Sequence, residues 1–130
     1  MPIDYRIDGE QRLVVARAHG AVSREEMVAY QVEVWSRPEV AGFSELVDMT
    51  DADLTGEAHA EGLLSLAELS AGMDSQTHAS RFAIVAPQDL FFGLGREYQV
   101  YRELSGGSTK EVGVFRTMDE ALRWLAELLG

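Results

Sequence analysis

The sequence predicts an α/β domain whose sheet has five strands and is mostly parallel. Two observations carry that prediction. Segments with apolar residues at every second position alternate with segments at helical spacing along the chain. Short apolar runs such as Phe82-Ala83-Ile84-Val85 also have the character of strands covered on both faces, as parallel strands are.

The elements follow in order. Ile3 to Asp8 alternates apolar and polar residues, and Asp8-Gly9 is a turn signal, so this strand forms a hairpin with the next. The second strand, Arg12 to Ala18, contains Leu13-Val14-Val15-Ala16 and ends at His19-Gly20. Ser23 and Glu26 have capping-box spacing and open a helix that runs to about Trp35. Met27, Gln31 and Val34 supply its inner face, and Pro38 stops it. Phe43 to Met49 is the third strand, and Asp53 or Thr55 caps a second helix through Ala71. Arg81 to Ala86 is the fourth strand. A third helix starts at Pro87, with the stripe Phe91, Leu94, Tyr98 and Tyr101, and ends at Gly106-Gly107. Glu111 to Arg116 is the fifth strand. Thr117 and Glu120 form a second capping box, and the last helix buries Met118, Ala121, Leu122, Leu125 and Leu129.

The order is therefore β-β-α-β-α-β-α-β-α, with four main helices and no linker or repeat, and residues 1–130 are expected to form one domain. Right-handed crossovers make strands two to five parallel and the first antiparallel to the second. In open α/β sheets, ligands bind at the carboxyl ends of the strands. That rule points to His19 after strand two, Asp48 to Asp53 after strand three, Gln88 after strand four and Arg116 after strand five.

Composition excludes several chemistries. With no cysteine, there is no disulfide framework, thiolate nucleophile or sulfur-ligated metal site. Met1 to Tyr5 lacks the basic and apolar regions of a signal peptide, and no apolar stretch reaches membrane-spanning length, so a cytoplasmic protein without integral membrane association is expected. The net charge is −11, and no Lys or Arg stands between Arg37 and Arg81. Such a field repels phosphate backbones, so nucleic acid is not an expected partner.

Three sets of segments carry a family resemblance: Phe43-Ser44-Glu45-Leu46-Val47-Asp48; Arg81 to Pro87 with Phe92-Gly93-Leu94-Gly95-Arg96; and Val114-Phe115-Arg116 through Ala121-Leu122-Arg123-Trp124-Leu125. Together they resemble the SpoIIAA-like branch of STAS domains over nearly the whole chain. The resemblance implies a small sheet-and-helix domain used as a non-catalytic binding or signalling module, and the same branch is likened to lipid-carrying SEC14 domains. Anti-sigma-factor antagonists of the wider group are switched by phosphorylation of a Ser that follows an Asp after strand three. Here Gly56-Glu57-Ala58 falls near that position, leaving Thr50 and Thr55 as the nearest hydroxyls among many acids.

Other patterns give little chemistry. Asp51-Ala52-Asp53-Leu54-Thr55-Gly56 matches the first half of a calcium loop, which makes Asp51 and Asp53 the candidate metal ligands. Gly62 then stands where the bidentate Glu belongs. His19, His59 and His78 lack zinc-ligand spacing and lie in no catalytic motif. Phe91 and Phe92 point in adjacent directions, so one of them is expected near a surface or groove as an apolar contact. Gly93 and Gly95 allow a close helix approach or leave room for a ligand. Tyr30 and Trp35 widen the apolar arc of the first helix, which either fills the core or forms a homodimer face.

The expected function is a non-catalytic module without a cofactor that binds a small apolar, lipid-like ligand or a partner protein. Its candidate contacts are His19, Asp48, Thr50, Gln88, Phe91, Phe92 and Arg116. A phosphorylation-controlled antagonist acting through Thr50 or Thr55 is the alternative. An enzyme using Asp48, Asp51 or His19 as acid or base is the third reading.

Overall fold

A computed structural model describes residues 3–54, 60–73, 79–105 and 109–129, with the backbone alone for 54, 60–65, 105 and 129. Its first half contains β1 (Ile3–Asp8), β2 (Leu13–Val22), α1 (Arg24–Trp35), a single 3-10 turn (Pro38–Val40), β3 (Ser44–Leu54) and α2 (Ala60–Gly72). The second half contains β4 (Ser80–Val85), α3 (Asp89–Ser105), β5 (Lys110–Phe115) and α4 (Met118–Leu129). The strands lie in one sheet in the order β1-β2-β3-β4-β5. Only the β1–β2 pair is antiparallel, so the five-stranded mixed sheet is as the sequence predicts.

Local chemistry explains the main boundaries. Asp8 Oδ1 accepts from the amides of Glu10 and Gln11, both at 3.1 Å, and Arg12 takes a left-handed φ of 53° to close the hairpin. Ser23 Oγ accepts from the Glu26 amide at 3.2 Å while Glu26 Oε1 accepts from the Ser23 amide, completing the capping box of α1. Thr117 Oγ1 likewise accepts from the Glu120 amide at 3.2 Å at the start of α4.

Sequential strand order has one consequence that decides the architecture. Each right-handed crossover steps in the same direction, so α1, α2 and α3 all lie on one face of the sheet. Val14, Ala16, Ala18, Phe82 and Ile84 point into that layer, where they meet Tyr30, Val34, Ala67, Phe91 and Tyr98. The opposite face turns Leu13, Leu46, Ala83 and Val85 towards Ala121 and Leu125 of α4, with Phe115 and Trp124 packed alongside. Three layers result, with α4 alone on its side.

Several expectations change. β2 and β3 do not stop at Ala18 and Met49 but continue to Val22 and Leu54. Between Arg17 and His19 the pairing slips: two steps on β2 span three on β3, from Asp48 to Asp51. The extra residue is a bulge that resets the alternation, turning Ala52 inward and Asp51 and Asp53 outward. The acidic segment expected as a loop is therefore strand. Asp53 belongs to β3 and does not cap α2, while Thr55, Glu57, His59 and His78 lie outside the described residues. Leu122, expected inside, is exposed because it sits one helical step off the Met118, Ala121 and Leu125 stripe. Leu129's side chain and Gly106-Gly107 lie outside what is described.

Candidate functional site

The sheet and its three-helix layer do not close completely. Between them lies a cavity of about 110 Å³. Its sheet side is formed by Ala18, Val47, Met49, Phe82 and Ile84, among others, and its helix side by Met27, Leu66, Phe91, Leu94 and Tyr98. A small residue helps to leave the space: Ala18 gives β2 no bulk at the wall. A Cβ on Gly95 would lie 3.0 Å from Val114 Cγ1 and 3.7 Å from Ile84 Cγ2, so that glycine brings α3 down onto β4 and β5. Gly93, by contrast, has open space where its Cβ would stand. Two methionines, Met27 and Met49, give the wall an adaptable surface.

One carboxylate interrupts this apolar lining. Glu45 points from β3 into the helix-covered face and is only 4% exposed. Its Oε2 accepts from the Tyr30 hydroxyl at 2.7 Å and from Trp35 Nε1 at 3.2 Å. Both donors meet that one oxygen; among the described residues no donor meets Oε1. Burial holds the Tyr30 phenol well above its ordinary pKa of 10.0, and the neighbouring carboxylate pushes it further. Tyr30 is thus a fixed donor at neutral pH. Burial also raises Tyr98, against the opposing pull of Arg102, whose Nη1 donates to the Tyr98 hydroxyl at 2.9 Å. Tyr98 stacks edge-on against Phe82, with ring centroids 5.9 Å apart. This arrangement can hold an apolar body and orient one polar group on it.

Of the sequence-predicted ligand residues, Phe91 lines the cavity and the other six lie outside its lining. They occupy the carboxyl edge of the sheet, largely satisfied by one another. Thr50 Oγ1 donates to Asp48 Oδ1, and Gln88 Nε2 donates to the Thr50 carbonyl at 3.4 Å. Arg116 Nη1 donates to Asp89 at 2.7 Å and to the Pro87 carbonyl at 3.1 Å, and its guanidinium covers the Phe92 ring at 4.1 Å. Of the adjacent rings, Phe91 is buried and Phe92 is the half-exposed one. His19 Nε2 meets Asp4 Oδ2 at 2.8 Å on the hairpin, and Arg17 pairs with Asp51. Asp51 raises the pKa of that guanidinium further by hydrogen bond and charge.

The other candidates are placed as follows. Thr50 lies on β3, not at a helix N-terminus, and Thr55 is outside the described residues. Asp51 and Asp53 belong to no group of three or more His, Cys, Asp or Glu poised for a metal ion among the described residues. Tyr30 and Trp35 are buried around Glu45 and offer no homodimer face; exposed apolar side chains are instead Val32 on α1, Leu90, Val100 and Leu104 on α3, and Leu122 and Leu128 on α4. No described helix is long and apolar enough to cross a membrane.

No family model matches the chain, and no curated protein matches it. Among solved structures, it is similar to an uncharacterized protein of the DUF3478 family with a SpoIIAA-like fold, from Shewanella loihica PV-4. The likeness has a TM-score of 0.60 at 21% identity and covers 95% of this chain and 93% of that one. The chain has a SpoIIAA-like fold.

That fold explains why the cavity lies away from the predicted edge. The carboxyl-end rule depends on a reversal of strand order that splits adjacent crossovers to opposite faces and opens a crevice. This SpoIIAA-like sheet runs sequentially and has no such reversal. Space is left between layers instead. Sequence reasoning missed Glu45, although one signal was available: an acid within Ser44-Glu45-Leu46-Val47, a run otherwise suited to burial on both faces.

Proposed function

We propose that this chain is a non-catalytic binding module that takes a small apolar molecule between its sheet and the α1–α3 layer. The observation that carries the reading is the cavity of about 110 Å³, apolar over most of its wall. Apolar cavities of this order accept small hydrocarbons. The residues along the wall also favour binding over reaction. They are mostly hydrocarbon and aromatic side chains, and Tyr30 is held in its neutral form.

Toluene is the probe that tests this. It is expected to shift the methyl NMR signals of Met27 and Met49 saturably at millimolar concentration, and Ala18→Leu, which fills the space, is expected to abolish the shifts. Absence of any saturable shift at the solubility limit of toluene would remove the reading. Equal shifts in folded Ala18→Leu protein would place the binding elsewhere.

A further inference from the structure

The cavity wall carries one acidic side chain, Glu45, and both donors that reach it among the described residues meet the same oxygen. Tyr30 and Trp35 hold Oε2, which fixes the carboxylate in place, while Oε1 receives no donor among the described residues. The ion pairs among the described residues leave Glu45 out. Two cations stand at the edge of the network: Lys110 Nζ lies 3.6 Å from the Trp35 ring centroid, and Arg102 donates to Tyr98.

We propose that the molecule held here is a small ammonium compound whose apolar body of about four to six carbons fills the cavity and whose N–H donates to Glu45 Oε1. This rests on the reading of the cavity as a ligand site. A buried carboxylate is stabilised by a partner that supplies both a hydrogen bond and an opposite charge. A pure hydrocarbon supplies neither, an alcohol only the first, and an anion is repelled. The lining suits a cation in a second way, since the rings of Tyr30, Phe82 and Tyr98 present π-systems that attract ammonium groups. The net charge of −11 adds a long-range field that concentrates cations near the protein.

Three probes on the full chain test the proposal: 3-methylbutylammonium, the neutral isostere 3-methylbutan-1-ol, and toluene. Wild-type protein is expected to bind the ammonium at least about tenfold more tightly than the alcohol, and the ammonium is expected to displace toluene. Glu45→Gln is expected to bring the two affinities together while leaving toluene binding unchanged. Should Glu45→Gln not fold, intermolecular NOEs in wild type from the methylene beside nitrogen to the Tyr30 and Tyr98 rings replace it as the readout. Equal affinities for ammonium and alcohol, a preference kept in Glu45→Gln, or NOEs absent from those rings would overturn the ammonium assignment. If toluene binds in any of those cases, the cavity reading stands alone; if no probe binds, both fall.

Discussion

Removing the hydroxyl of Tyr30 is the most direct test of how this core holds its buried acid. In Tyr30→Phe the ring stays in place and the bond to Glu45 Oε2 at 2.7 Å is lost, leaving Trp35 Nε1 at 3.2 Å as its remaining donor. Hydrogen bonds to a charged group contribute about 1.5–3 kcal/mol, and a buried acceptor left short of donors adds to the loss. Because Trp35 keeps part of the satisfaction, a destabilisation of about 2 kcal/mol is expected. Globular proteins unfold with an entropy of about 2.1 cal/mol/K per residue, so for this chain that loss lowers the melting temperature by roughly 7 °C. Urea unfolding followed by circular dichroism reads it as a lower midpoint with an unchanged slope. Tyr5→Phe is the control. The Tyr5 hydroxyl accepts from Arg37 Nη2 at 2.8 Å in a half-buried setting, so a loss under about 1 kcal/mol is expected there. If Tyr30→Phe costs no more than Tyr5→Phe, the Glu45 network is satisfied from elsewhere and the half-satisfied carboxylate of the cavity does not exist.

The remaining predictions concern pH and packing. The Tyr30 pKa is raised in the folded state, so its neutral form is bound more tightly there than in the unfolded chain. Its contribution is present in full below the ordinary tyrosine pKa of 10.0 and is lost as pH climbs past that value. Wild type should therefore lose stability more steeply than Tyr30→Phe above about pH 10, with Tyr98 causing a smaller loss common to both; parallel curves would refute the assignment. The two α3 glycines should part company. Gly95→Ala forces a Cβ to 3.0 Å from Val114 and should destabilise by about 1–3 kcal/mol. Gly93→Ala meets nothing and should stabilise by up to about 1 kcal/mol through helix propensity. Equal effects in thermal unfolding would mean that α3 does not approach the sheet as described.

Strand and helix identities were legible because each rests on local chemistry. The apolar run Phe82 to Val85 needs cover on both faces, and Ser23 with Glu26 satisfies helix amides wherever the helix lies. Extension of β2 and β3 to Val22 and Leu54 was not legible. Asp51-Ala52-Asp53 looks like solvated loop until pairing with His19 to Ala21 supplies its backbone partners, and the register slip that permits this is a property of two strands together. Phe91 reaches the cavity wall because the paired rings divide between core and surface. The other six candidates lie outside the cavity lining, and a sequence cannot show that Arg116 would be engaged by Asp89 and by the Pro87 carbonyl.

Strand order links the expected edge to the position of the cavity. A doubly wound sheet divides its crossover helices between two faces, and the place where they part is a crevice at the strand ends. With the order β1 to β5, α1, α2 and α3 share one face, so they must pack against one another as well as against the sheet. Gly95 seats α3 tightly on β4 and β5, and where Ala18 gives β2 no bulk the layers leave room. The one-sided arrangement also determines which residue becomes exceptional. Alternation along β3 sends Glu45 to the crowded face and Leu46 to the side closed by α4. A one-residue shift in that strand would turn the acid to the α4 side and leave the three-helix face without it. Glu45 instead arrives on the three-helix side, where Tyr30 and Trp35 both meet Oε2, and the proposed ammonium ligand rests on that placement.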